Sequence, residues 1–484
     1  MSVEILVEAG PIETRIAVTE GGHLAELLVE ETDQPSLVGS IWLGRVSRVA
    51  SGIQAAFVDL GLPRAGFINR ADAQALAGDG EAKGETRPIE KLLHEGQWIL
   101  VQVRKDADRD KGVGLTAAIT LPGRALVYLP HRREISVSRR IEDAAQRSRL
   151  AAALAGLLPG GAVVRTVAAE MESEAVRAEA GRLVRLHEEL RAAKGDRPRC
   201  LWREPEPAIR ILRDRLDATV TEVAIDDEAT FRRAREHAGR EMPALAGRLR
   251  FHAGPGPVLA RHDVLDEIAL IEGPRVPLPS GGAITIEATR ALTAIDVDSG
   301  RDTGGQDQES LALRTNLEAA RELARQMRLR DIGGIIVVDF IELRNPASRE
   351  RLMERLASEI RHDRAPVRLS GLSEFGLVEM TRRRAGVALG TRHSENCAAC
   401  GGSGRQPSLK AEMAAALRAL LAEGAAIPGR ALALHLPPRV AGALLAHPAL
   451  ERARQRLGAG LEIVADESLA AGQHRVAPGS GAPA

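Results

Sequence analysis

The chain has 484 residues, and its 66 Lys+Arg balance 66 Asp+Glu to a formal net charge of zero. That length predicts about three domains. The charge balance excludes a uniformly basic nucleic-acid coat and an acidic solvating tail, and a hydrophobic content of 44% excludes a disordered chain.

The aromatic residues are six Phe, three Trp and one Tyr, so stacking surfaces for bases must come from these few or from arginine. All but six of the basic residues are arginine, a bias that a GC-rich genome also produces. Three cysteines exclude a disulfide framework and set a reducing, cytoplasmic expectation. The start, MSVEILVEAGPIETRIAV, lacks the basic flank and apolar core of a signal peptide. Apolar runs such as 335–338 are too short to span a bilayer.

Residues 3–8 and 14–19 alternate apolar and polar, as two strands of a small sheet do. From Ser36 the run GSIWLGRVSRVASGIQAAFVDLGLPRAGFINRAD reads as short strands broken by glycine. After a Gly/Ala/Glu-rich loop at 76–88 it continues into QWILVQVRKDADRDKGVGLTAAITL. Five or so strands in roughly 85 residues is the size of an OB-type barrel. Segment 120–203 reads as strands, a helix at 141–157, a strand at 162–167 and an Arg/Glu-rich helix at 171–194. Region 204–275 is mixed, with helical runs at 208–216 and 229–238 and a strand at 219–225.

From 276 the chain reads as α/β. Strand-like AITIEA and LTAIDVDS lead through RDTGGQDQES into a helix with Leu313, Leu317, Ala320, Ala324 and Met327 on one face. GGIIVVDFIEL is apolar on both faces, the pattern of a buried strand. Pro346 opens a helix with Leu352, Met353, Leu356 and Ile360 inward. A β-like run ends at VEMTRRR, a Gly/Cys-rich link covers 394–407, and an alanine-rich helical tail ends in loose AGQHRVAPGSGAPA.

Asp296 and Asp298, at i and i+2 in AIDVDSG, point the same way off a strand end. Asp339 ends the other apolar strand, and the helix between makes the two strands possible sheet neighbours. Such carboxylates suit Mg²⁺, which prefers oxygen and retains water that can attack a phosphodiester. Strand-end aspartates also simply start turns, and Asp302, Asp307 and Glu309 in the following loop read that way. Phe57 and Phe67 lie in alternating segments, where they are either barrel core or an exposed platform for bases. Lys105 and Lys111 flank the turn RKDADRDKG, where Asp106, Asp108 and Asp110 offset their charge. Cys397-x-x-Cys400 before GGSG supplies half of a tetrahedral zinc site; His393 could extend it, while Cys200 is distant in sequence.

AIDVDSG, TNLEAARELARQMRLRDIGGIIVVDFIEL, FGLVEMTRRR and CAACGGSG occur in the order found in the ribonuclease E/G family, which this chain resembles over roughly 1–410. IWLGRVSRVASGIQAAFVDLG is similar to that family's OB-fold RNA-binding domain, of the ribosomal S-one type. The resemblance implies a multidomain α/β and β architecture. Residues 1–35 with 204–275 form an RNase H-like domain, 36–119 the inserted OB barrel and 120–203 a 5′-phosphate sensor. Residues 276–393 form a DNase I-like catalytic domain, 394–407 a zinc link and 408–484 a small helical domain with a loose tail.

The implied activity is Mg²⁺-dependent endonucleolytic hydrolysis of single-stranded RNA to 5′-phosphate and 3′-hydroxyl ends, in ribosomal RNA processing and mRNA turnover. Asp296 and Asp339 match the Mg²⁺-holding aspartates, with Asp298 a third catalytic candidate where many members carry asparagine. Phe57, Phe67, Lys105 and Lys111 match RNA contacts, and Ala65 stands where some members have histidine. Gly123, Val127, Arg139, Arg165 and Thr166 match a pocket for a 5′-monophosphate, but Pro366, with Arg364 nearby, replaces a second basic residue. Cys397 and Cys400 match a cysteine pair that shares structural Zn²⁺ with a second chain, implying a dimer or a dimer of dimers. Long members append disordered, Arg- and Pro-rich scaffolds; no such stretch occurs up to residue 484, so the expectation is a short family member without a scaffold for other decay enzymes. The competing readings are an RNA-binding protein of the same fold without catalysis and a metal-dependent DNase.

Overall fold

The structure is a computed structural model that describes residues 2–77, 87–107, 111–262, 264–289, 291–300, 308–361, 363, 365–383, 394, 397, 400, 402 and 404–479. It divides into two compact units, Met1–Arg392 and His393–Ala484.

The first unit opens with an antiparallel meander of β1 (Val3–Ala9), β2 (Glu13–Glu20) and β3 (His23–Glu31). The chain then leaves this sheet for a barrel of β4 (Ile41–Ala50), β5 (Ala55–Asp59), β6 (Gly66–Asn69), β7 (Trp98–Lys105) and β8 (Gly114–Thr116). The pairing runs β4-β5-β6-β8-β7 and closes through β4–β7, which removes the open edges. Alternation sorts its side chains: Val46, Ala56, Val58, Ile68, Val101, Val103 and Leu115 fill the interior. Short helices α1 (Arg70–Ala73) and α2 (Ile89–Leu92) pack Ala73, Ile89 and Leu92 against that core.

Next come β9 (Leu121–Pro122), β10 (Leu126–Leu129) and β11 (Ile135–Val137), then α3 (Ala144–Leu154), β12 (Gly161–Val164) and α4 (Ser173–Ala192). They form a four-stranded sheet, β11-β12-β10-β9, under two helices. Helix α3 is shorter than the sequence predicts because Asp143 caps it, accepting from the Ala145 N–H. The expected strand at 162–167 ends at Val164, and Thr166–Glu170 is a 3₁₀ turn. β13 (Arg199–Trp202) adds to β4, and α5 (Pro207–Arg215) leads to β14 (Val220–Ile225), α6 (Glu228–Glu241) and β15 (Leu249–Phe251). β14 and β15 extend the first sheet in parallel, giving the order β15-β14-β1-β2-β3, so that sheet draws on chain from both sides of the barrel.

Helices α7 (Val258–Arg261) and α8 (Leu265–Glu272) precede the last sheet of this unit. It contains β16 (Arg275–Pro277), β17 (Ala283–Ala288), β18 (Leu292–Asp298), β19 (Gly334–Asp339), β20 (Val367–Leu372) and β21 (Leu377–Arg382). The order is β16-β17-β18-β19-β21-β20. Helix α9 (Gln308–Leu329) makes the crossover between the parallel neighbours β18 and β19, and α10 (Pro346–Ile360) follows, capped by Asn345. Both helices cover one face, burying Ile336, Val338, Leu323, Met327, Leu352 and Leu356. Each such side chain contributes about 1.5–3 kcal/mol by leaving water. Arg382 of the TRRR run is buried among Asp331, Asp363 and the Ile332 carbonyl, and pins the end of β21.

Two expectations are corrected here. The inward stripe of α9 is Ala312, Thr315, Asn316, Ala319, Ala320, Leu323, Ala324 and Met327, while Leu313 and Leu317 are only half-buried. The helix is rotated because its polar Asn316 finds a backbone partner inside. β19 is not buried on both faces either: Ile335 is 50% exposed, because the helices cover only the opposite face.

In the second unit the expected helical domain with a loose tail is instead α/β. Helices Leu409–Ala426, Pro438–Leu445 and Ala449–Leu457 pack with strands Leu432–Leu436, Leu461–Ala465 and Arg475–Pro478. The tail is ordered as a strand because it pairs antiparallel with Leu432–Leu436, an arrangement its polar, glycine-flanked sequence does not announce.

Candidate functional site

The parallel register of β18 and β19 sets Asp296 directly opposite Asp339. Neighbouring strands lie about 4.8 Å apart, so the two side chains leave adjacent strand ends from one face. Both are exposed, and neither has a hydrogen-bond or ion-pair partner among the described residues. Asp298 lies on the same face but is engaged. Its Oδ1 accepts from the Gly300 N–H at 3.1 Å, and Oδ2 lies 3.6 Å from Arg275 Nη1. Gly300, at φ +68°, is needed there because a Cβ would sit 2.3 Å from the Gly281 carbonyl.

The backbone after Asp339 is held by Asn316, a residue sequence reasoning missed. Fully buried, it donates from Nδ2 to the Ile341 carbonyl at 2.8 Å and accepts the Ile341 N–H at 3.1 Å. Glu309 accepts the N–H groups of Arg344 and Asn345, and these bonds, Arg344's first, hold its carboxyl below the usual glutamate range. It is thus a turn-holding residue. Asp302 and Asp307 lie outside the described residues. Among the described residues no cluster of three or more His, Cys, Asp or Glu forms a metal cage. Asp296 and Asp339 set two carboxylates side by side, oxygen donors of the kind a hard, water-retaining cation takes.

On the barrel, register aligns one row across all five strands. Arg48 faces Phe57, Phe57 faces Phe67, Phe67 faces Gly114, and Gly114 faces Lys105. Phe57 and Phe67 are outside the core, with centroids 5.9 Å apart in an edge-to-face pair, and Phe67 is 37% exposed. The Arg48 guanidinium lies 4.6 Å from the Phe57 ring centroid. Gly114 leaves the space between Phe67 and Lys105 without a side chain. The row sets two aromatic rings among cationic side chains, the combination with which proteins can hold single-stranded nucleic acid. Arg48 was missed by sequence reasoning: strict alternation from outward Arg45 turns it inward, and only the register irregularity between Val46 and Arg48 brings it out opposite Phe57. Lys111 is exposed, and the Asp106 carboxylate accepts from Ser36 Oγ and the Leu37 N–H. Asp108 and Asp110 lie outside the described residues.

Gly123, Val127, Arg139, Arg165 and Thr166 gather at one end of the four-stranded sheet. Gly123 N–H bonds Leu126 O, Val127 pairs with Val163, Arg165 N–H bonds Ala125 O, and Thr166 Oγ1 lies 2.9 Å from Ser138 Oγ, next to exposed Arg139. Buried Glu179 supports the turn, accepting the Ala125 and Leu126 N–H groups; a Cβ on Gly123 would sit 2.1 Å from its Oε1. Burial pushes the Glu179 carboxyl up, and those two N–H donors only partly offset it. Arg165 Nη1 is 2.5 Å from Asp214 Oδ1. Burial favours a neutral Asp214, but hydrogen bonds and charge from Arg213, then Arg165, outweigh it and hold the carboxyl below its ordinary range. Pro366 precedes β20, and Arg364 lies outside the described residues.

The second unit carries exposed Cys397 and half-buried Cys400, with no disulfide at either; His393 lies outside the described residues. Cys200 is accounted for separately, since its thiol donates to the Trp202 carbonyl at 3.3 Å against the barrel. A cleft between β2, β3, α5 and the end of α9 is rich in charge, much of it paired: Arg210 with Glu30, Arg215 with Glu26, and Arg382 with Asp331 and Asp363. No helix among the described residues is long and apolar enough to cross a membrane.

The chain is similar to known proteins. The Ribonuclease E/G family model matches residues 120–385. Ribonuclease G of Salmonella typhimurium and of Escherichia coli K12 are each 34% identical to the chain over 453 residues, 92% of either sequence. Ribonuclease G of Haemophilus influenzae is 36% identical over 412 residues, 84% of each. With a family match over more than half its length and relatives of this identity along nearly all of it, the chain belongs to the ribonuclease E/G family.

Proposed function

We propose that Asp296 and Asp339 form the hydrolytic centre of this endoribonuclease, acting on single-stranded RNA laid across the barrel row. The observation that carries the reading is their register: two carboxylates, unpartnered among the described residues, directly opposite each other at the ends of parallel strands. The donor set fits Mg²⁺, which when bound would stabilise charge on the phosphate and lower the pKa of a bound water. The chain's own residues do the rest. Asn316 fixes the backbone beyond Asp339, Asp298 holds the Ser299-Gly300 turn and its Arg275 contact, and Phe57 and Phe67 stack bases while Arg48, Lys105 and Lys111 meet phosphates. In the reaction a water oxygen bonds to phosphorus and the P–O3′ bond breaks. The 3′ oxygen leaves with a proton, giving 5′-phosphate and 3′-hydroxyl ends.

The turn at Gly123 and Val127, with Arg139, Arg165 and Thr166, would enclose a 5′-monophosphate through a guanidinium fork and a hydroxyl. The processing of ribosomal RNA and turnover of mRNA follow as roles from family membership. Cys397 and Cys400 are two soft donors of a four-donor zinc site, so a second copy would complete it and make the assembly at least a dimer. The test is Asp339→Asn, which keeps the shape and removes the charge. Cleavage of a short single-stranded RNA is expected to stop while its binding persists; full activity overturns the assignment.

A further inference from the structure

The turn joining β20 to β21, Ser373-Glu374-Phe375-Gly376, lies at the same end of the sheet as the paired aspartates. β21 runs antiparallel to β19, and its first residue, Leu377, faces Asp339. Two residues of chain reach about 7 Å and cross-ladder neighbours lie about 5 Å apart, so the Phe375 Cα is within roughly 12 Å of the Asp339 Cα. Phe375 is 88% exposed. Among the described residues it has no aromatic or cationic partner.

The turn is nonetheless fixed. Ser373 N–H donates to Leu377 O at 2.8 Å, Gly376 N–H to Ser373 O at 3.0 Å, and Leu377 N–H to Ser373 Oγ at 3.1 Å. Gly376, at φ +79°, supplies the left-handed residue the turn needs. Exposure alone assigns nothing: Ile12 is 74% exposed in the β1–β2 turn. Position does. In a chain with ten aromatics, of which Trp42, Tyr128 and Phe340 are buried, one is held in water on a rigid turn beside the hydrolytic carboxylates.

We propose that Phe375 is a base-stacking residue that holds the nucleotide next to the scissile phosphate, complementing the more general grip of Phe57 and Phe67. A ring stacks on any base, so the contact positions RNA without selecting sequence. The inference rests on Asp296 and Asp339 being the hydrolytic centre.

The experiment uses the full chain with Mg²⁺ and a short single-stranded RNA of one defined cut, in which an abasic nucleotide is walked position by position past the cut. Wild type is expected to lose about tenfold in kcat/KM when the abasic position meets Phe375. Phe375→Ala is expected to lose about as much on intact RNA, to be indifferent to the abasic residue at that one position, and to melt like wild type. Phe375→Trp restores both the rate and the abasic penalty. Wild-type kcat/KM for Phe375→Ala on intact RNA, or an unchanged abasic profile in that variant, overturns the proposal. Cleavage by Asp339→Asn would instead overturn the hydrolytic centre, and the abasic comparison is read independently of it.

Discussion

Replacing Asn316 with alanine removes both bonds that hold the chain two residues beyond Asp339. The Ile341 carbonyl and N–H then lose their partners, at 2.8 and 3.1 Å, in a place where the removed side chain was fully buried. A buried backbone group left unpaired costs about 1–3 kcal/mol. Two such groups, partly relieved by water entering the gap, give roughly 2–4 kcal/mol. The same loss lets the 340–343 segment shift, and with it the angle at which Asp339 leaves β19. Thermal unfolding should therefore fall by several degrees, and kcat on a short RNA should fall by at least tenfold with KM little changed, because the barrel row is untouched. A variant that melts within a degree of wild type and retains its kcat refutes the clamp.

Three further outcomes follow from the geometry. Wild type should cut 5′-monophosphorylated RNA faster than its 5′-hydroxyl counterpart, and Arg165→Ala or Thr166→Ala should abolish the difference; equal wild-type rates count against the pocket. Glu179 has its folded-state pKa raised by burial, so the native state retains that proton longer than the unfolded chain. Its contribution is full below the unfolded value of about 4.3 and is lost as pH rises through the folded one. Glu179→Gln, which keeps an acceptor for Ala125 and Leu126, should therefore melt above wild type at pH 8 and converge with it near pH 4; a deficit equal at both pH values contradicts this. Metal analysis should give about one zinc per two chains, lost in Cys397→Ser together with self-association. A fully active, zinc-free dimer would refute the shared site.

The carboxylates were legible in sequence because each ends an apolar β run, a local signal. Their direct opposition was not, since register between strands joined by a helix is set by tertiary packing. Asn316 was hidden for a related reason: a polar residue in an amphipathic helix reads as outward unless its buried backbone partner, here Ile341, is known. Phe57 and Phe67 stood out by their rarity, yet only barrel closure decided between core and surface. Arg48 and Gly114 emerged from the cross-strand row alone. The strand Arg475–Pro478 is too short and polar to announce itself, and forms because Leu432–Leu436 offers it an edge.

The most direct test of the paired carboxylates is a double-substitution cycle on cleavage. Asp296→Asn, Asp339→Asn and the double variant are compared in single-turnover cleavage of one short RNA at saturating Mg²⁺. If the two side chains act on one bound ion, each single variant falls to the same floor and the double variant is no slower. Independent losses that multiply in the double variant, or a single variant that retains wild-type rate, would contradict the account.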